Sequence, residues 1–210
     1  MKRRLVAALA VAALLWFYMF SPWTAGLTNF WLTMTASAVI LTSLALLFSP
    51  EKLTRVEKPL WQVLAGVLIA LLLWGVFWTG DKVSSWLFDF ARPEVDSIYS
   101  MKTGLPTAVI AALLLLVIGP AEEFFWRGYV QRTMGKLFEG RKSPQDKAFV
   151  VTAVIYALVH VWSLNFMLVM AALVAGVVWG LLYRLRPQML PALIVSHALW
   201  DALVFVWMPI

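Results

Sequence analysis

The sequence predicts an all-α, polytopic membrane helical bundle of about seven transmembrane helices with a short interfacial helix. Three observations carry this. Of the 210 residues, 62% are hydrophobic and only 13% are charged, against about half and about a quarter in soluble domains. The mean hydropathy is +0.84. The apolar residues fall in long uncharged runs near the ~20-residue length that crosses a bilayer as a helix. This composition excludes a soluble globular domain and a disordered chain.

The first run, Leu5–Phe20, follows Lys2, Arg3 and Arg4. Ser21-Pro22-Trp23 puts bulk where a signal peptidase needs small residues, so the run reads as an uncleaved span. Further runs cover Phe30–Phe48, Leu60–Trp78, Leu105 to about Phe125, Ala148–Leu164, Phe166–Tyr183 and Met189–Met208. The fifth and sixth meet at Trp162-Ser163-Leu164-Asn165 and predict a tight helical hairpin. Val83–Tyr99 mixes Trp86, Leu87 and Phe90 with Asp89, Glu94 and Asp96. It is too polar to span and reads as a segment on the outer interface. Gln131–Lys147 is basic and reads as a cytoplasmic connection.

Charge sets the orientation. With the N-terminus in the cytoplasm, 14 of the 17 Lys and Arg residues fall on the cytoplasmic side, Lys52, Arg55 and Arg127 among them. Only Lys82, Arg92 and Lys102 lie outside, as the cytoplasmic bias of basic residues requires. The C-terminus is then outside, and the expected location is a bacterial inner membrane. The net charge of +6 is read as topology and not as a nucleic-acid footprint. Trp23, Trp31, Trp61, Trp78 and Trp162 sit near the ends of runs, as interfacial anchors do. Cysteine is absent, which excludes disulfides, thiolate metal sites and a cysteine nucleophile.

Ionisable residues inside apolar runs are costly and point to function. Glu122 and Glu123 end the fourth run, His160 lies in the fifth, and His197 and Asp201 lie in the seventh. Both histidines of the chain fall inside spans. At 1.5 Å per residue, His160 lies roughly 18 Å along its span, His197 roughly 12 Å and Asp201 roughly 18 Å. If the fourth helix ends near Arg127, Glu122 is roughly 8 Å from its inner end. All five are then expected in the cytoplasmic half of the membrane. His197 and Asp201 share a helix face, as do Glu123 and Arg127. Pro120 can kink the fourth helix beside the glutamates. Two carboxylates and two imidazoles at one depth are the inventory of a water-activating site.

These residues resemble a known family. Glu122-Glu123-Phe124-Phe125-Trp126-Arg127-Gly128 matches the EExxxR motif of the CAAX-protease and bacteriocin-processing family, the Rce1-like glutamate intramembrane proteases. Tyr156-x-x-x-His160 and His197-x-x-x-Asp201 match its second and third motifs, in order. The resemblance covers about Pro106–Trp207. It divides the chain into N-terminal helices and outer segment at 1–104 and a protease core at 105–210, within one membrane domain. Tyr156 stands where Phe is commoner, and Asp201 where the prenyl-protein proteases use Asn. The resemblance implies hydrolysis of a peptide bond in a membrane-associated, lipidated or tail-bearing polypeptide. Glu122 would activate water, with His160 sharing it. Arg127 would hold Glu123, and Tyr156 would support the site. His197 and Asp201 would stabilise the oxyanion.

No HExxH, GxGD or rhomboid-type serine motif is present, so zincin, aspartyl and serine chemistries lack their signatures. No cofactor is expected; zinc on Glu122, His160 and His197 is the alternative that ligand types leave open. A proton-coupled carrier or an immunity-type scaffold would use the same acids and histidines as a relay. Carriers usually carry internal repeats, and none is visible here. The expected partners are the bilayer and a polypeptide substrate, without nucleic acid.

Overall fold

The computed structural model describes residues 1–49 and 56–210. Among these the chain is all helical, with no strand. Helix α1 covers Lys2–Phe20, α2 Phe30–Phe48, α3 Pro59–Leu87 and α4 Ala91–Ser100. Four further runs follow: α5 at Thr107–Leu137, α6 at Pro144–Ser163, α7 at Phe166–Leu185 and α8 at Pro187–Trp207. Seven of these eight, all but α4, are long and apolar enough to cross a membrane. The chain is an integral membrane protein built as an up-and-down bundle. Lys52 and Arg55, which entered the charge count, lie outside the described residues.

Two boundaries differ from the sequence reading. Helix α3 continues past Trp78 to Leu87, so Val83–Leu87 belongs to it and only Ala91–Ser100 forms the short interfacial-type helix. Helix α5 continues past Arg127 to Leu137, so the start of the basic stretch is helix and not connection. Hydropathy marks where a helix leaves lipid, whereas the backbone ladder continues as long as nothing stops it. At ~1.5 Å per residue, α5 is about 46 Å long, well beyond the ~30 Å hydrocarbon layer.

Helix α5 is not uniform. Its α-helical segments alternate with π-helical turns at Leu114–Ile118 and Phe124–Gln131, on either side of Gly119–Glu123. Pro120 lacks the N–H that an α-helical ladder needs there. A wider turn absorbs such a defect without a break, and π-turns are frequent at functional sites.

Two apolar clusters hold the bundle together. One joins α1, α2 and α5 around Trp16, Trp31, Phe125 and Trp126. The other joins α3, α7 and α8 around Leu73, Trp179 and Leu193. They meet where α5 crosses α8, and this crossing is close because its residues are small. A Cβ on Gly119 would lie 2.5 Å from Ala198 Cα. In lipid, where apolar burial between helices gains little, such close backbone approach is a main source of association. The tight hairpin between α6 and α7 is present: Leu164 adopts φ 51°, and the Asn165 side chain caps α7 by accepting from the Leu168 N–H at 2.8 Å.

Trp23, Trp61, Trp78 and Trp162 are exposed, as anchors must be, but Trp31 is 1% exposed. The sequence reading of Trp31 as an anchor is therefore corrected. Its indole donates to the Met101 carbonyl at 2.9 Å and ties α2 to the connection before α5.

Candidate active site

The crossing of α5 and α8 brings the expected residues together. Glu122, Glu123, Arg127, Tyr156, His160, His197 and Asp201 are all buried. Glu123 and Arg127 are fully enclosed. Arg127 Nη1 donates to Glu123 Oε1 at 2.6 Å, the i,i+4 pair the sequence predicts. His197 Nδ1 donates to the same oxygen at 3.0 Å. Glu123 thus joins α5 to α8. Arg127 Nη2 donates to the Gly176 carbonyl on α7 at 3.2 Å, and its guanidinium lies 4.9 Å from the Tyr156 ring centre and 5.6 Å from that of Trp179. The buried guanidinium thus has a carboxylate, a carbonyl and aromatic faces as partners, which offset much of its desolvation, while its Nε has no hydrogen-bond partner among the described residues.

The neighbouring glutamate is held differently. Glu122 Oε2 accepts from the Tyr156 hydroxyl at 3.0 Å, and Glu122 faces a cavity of about 430 Å³ that His160, His197 and Asp201 also line. The hydroxyl that marks Tyr156 as a departure from the commoner Phe is the group that orients Glu122.

Each imidazole has a defined environment. His197 stacks on Trp179, with ring centres 4.0 Å apart, and its Nε2 lies 3.5 Å from Asp201 Oδ2. Trp179 is fixed in turn by donating to Ser196 Oγ at 3.0 Å. His160 Nε2 accepts from the Trp16 indole at 3.1 Å. An indole N–H can only donate, so the proton of a neutral His160 sits on Nδ1 and is given to the Tyr156 carbonyl at 2.8 Å. Phe20 and Trp16 pack against the same ring.

Three features escaped the sequence reading. Trp16 lies on α1, 144 residues from His160, and looks like any Trp of an apolar run. Trp179 carries no motif. The link from His197 to Glu123 joins two motifs that spacing alone leaves separate. Two expectations are corrected. Arg127, counted with the basic residues of the cytoplasmic connections, is buried inside the bundle. The five ionisable residues do not gather in the half of the bundle next to the Lys- and Arg-rich connections, where counting along the runs put them: His160 lies in the final turn of α6, Val159–Ser163, and Asp201 lies near the end of α8. They sit from mid-bundle towards the end where α4 and the C-terminus lie. The longer α5 is the reason, since Glu122 is about 22 Å from either end of it. Among the described residues no group of three or more His, Asp or Glu side chains is arranged to hold a metal ion, Glu122, His160 and His197 included.

Fold and site together define a helical membrane protein with a buried carboxylate–imidazole centre facing an apolar cavity. Residues 104–203 match the family model of type II CAAX prenyl endopeptidase Rce1-like proteins, a family of proteases, so this stretch of the chain carries an Rce1-like domain match. The match includes every site residue named above except Trp16 and Phe20. No curated protein and no solved structure matches the chain.

Proposed function

We propose that the chain is an intramembrane endopeptidase in which Glu122 activates a water molecule held in the apolar cavity. The observation that carries this reading is the contrast between adjacent glutamates. Glu123 receives Arg127 and His197 on one oxygen and is committed to structure. Glu122 receives only the Tyr156 hydroxyl from protein, on Oε2, which leaves Oε1 for water. Glu122 takes the water proton, and the water oxygen bonds to the scissile carbonyl carbon. Across the cavity, His197 as the imidazolium donates from Nε2 to the oxyanion while Glu123 holds its Nδ1–H, and Asp201 donates as its neutral acid. The C–N bond then breaks, and the proton held by Glu122 passes to the departing amine. His160 shares the water when Trp16 releases Nε2, and until then Trp16 holds the ring in its Nδ1–H form. Glu123 and Arg127 position His197.

The substrate under this reading is a membrane-associated polypeptide, and the chemistry uses no metal. A carrier or scaffold role would also need buried acids and histidines, but it gives no reason for a carboxylate left open to a cavity beside one enclosed and held by Arg127 and His197. The test is turnover of detergent-purified protein with and without a strong chelator, alongside its metal content. The expected result is unchanged turnover and no stoichiometric metal. One tightly bound zinc per chain, with activity lost on its removal, would establish metal chemistry instead.

A further inference from the structure

The cavity that holds Glu122 opens at one particular end of the bundle. Its deep wall is Glu122, His197 and Asp201, and its outer wall includes Phe88, Tyr99, Met101 and Ile210. Those outer residues belong to α4, to its flanking connections and to the C-terminus. The mouth is thus at the end where α1, α3, α6 and α8 finish and where α2, α5 and α7 begin.

The two ends differ sharply in charge. Among the described residues, the end opposite the mouth carries Lys2, Arg3, Arg4, Lys58, Arg132, Lys136, Arg141, Lys142, Lys147, Arg184 and Arg186. The mouth end carries Lys82, Arg92 and Lys102. Removing the buried Arg127 from the balance leaves it just as one-sided. Short connections rich in Lys and Arg stay in the cytoplasm, so the mouth faces away from it. A second feature fixes its depth. Trp23, Trp78, Trp86, Trp162 and Trp207 are all exposed around the mouth end, and exposed Trp at the end of a bundle marks the headgroup level.

From this we infer that the site is entered from the extracytoplasmic side, and that its substrate is the outer membrane-proximal segment of a membrane-anchored polypeptide. The inference deepens the protease reading above and rests on it for the word substrate. The rim fits such a segment. Asp81 is paired with Lys82 at 3.1 Å and Arg92 at 3.2 Å, and Arg92 also holds Asp96 at 2.7 Å. Paired charges offer no strong net field, and the walls behind them are aromatic and aliphatic. A polypeptide that emerges apolar from the outer leaflet meets matching chemistry over the whole path to Glu122. A cytoplasmic tail would have to cross the bundle to reach it.

The absence of cysteine makes the test direct. Single cysteines are placed at Ser84 on the cavity wall, at Thr103 in the connection before α5 and at Lys142 at the opposite end. Right-side-out membrane vesicles are then treated with a membrane-impermeant maleimide. Ser84→Cys and Thr103→Cys are expected to label without permeabilisation, and Lys142→Cys only after it. Thr103→Cys serves if the wall substitution disturbs folding. The reverse pattern overturns the inference. In parallel, the new protein termini that depend on Glu122 are mapped in cell membranes by comparing wild type with Glu122→Gln. Termini in outer membrane-proximal segments support the inference. Termini in cytoplasmic segments overturn it while leaving the protease reading intact. If no terminus depends on Glu122, the protease reading fails, and the labelling still decides which side the cavity faces.

Discussion

The N-terminal helices and the matched core differ in what they bury. In α1, α2 and α3, 28–33% of the membrane-spanning window is buried, whereas in α5 and α8 half is. The buried ionisable residues of the site all belong to the core, whereas the first three helices bury mainly aromatic and aliphatic groups, with Asp81 near the end of α3 the buried carboxylate among them. Yet α1 supplies the indole that occupies His160. The difference teaches that chemistry and shielding are divided between the two regions, with one point of contact at which shielding reaches the chemistry. A core protease motif can be complete in sequence while the state of one of its histidines is set from outside the motif.

Substitutions can break or sharpen this division. The largest expected effect is that of Arg127→Ala, which leaves Glu123 as an unpaired buried charge. Removing one partner of such a pair costs about 3–5 kcal/mol, so both folded protein and turnover should fall; solubilised protein that remains monodisperse at wild-type yield would show the pair to be dispensable. Next comes His197→Ala, which removes an oxyanion donor and is expected to lower turnover about 10²–10³-fold with residual activity left. Complete loss, equal to that of Glu122→Gln, would give His197 a larger part than the one assigned. The smallest effect tests the link between regions. Trp16→Phe keeps the ring packing and removes one buried hydrogen bond, worth about 1 kcal/mol, or about fivefold in rate. Trp16 is a positioning residue, so the pH–rate profile should move while protein level does not. An unchanged profile would reduce Trp16 to packing.

Much of this was legible in the sequence, for physical reasons that also explain the failures. The spans followed from run length, because lipid demands about 20 apolar residues of any helix that crosses it. The ends of α3 and α5 did not, because Gly80–Leu87 and Gln131–Leu137 continue a helix after its apolar run has ended. Glu122, His160 and His197 were legible because ionisable groups are rare in spans. Trp16, Trp31 and Trp179 were not. A Trp in an apolar run serves equally as core, anchor or hydrogen-bond donor, and only its partner decides. Depth was misjudged for the same reason as the helix ends, since it was counted from a boundary that the backbone does not share.

The central claim concerns the two adjacent carboxylates, Glu122 open to the cavity and Glu123 committed to Arg127 and His197. It is tested most directly by single-turnover cleavage with reconstituted Glu122→Gln protein, using as substrate the membrane polypeptide that accumulates uncleaved in a deletion strain. Glutamine keeps an oxygen to accept the Tyr156 hydrogen bond but cannot take a proton from water. The account predicts cleavage slower by at least about 10²–10⁴-fold, with folded protein at wild-type level. Cleavage at the wild-type rate would contradict it.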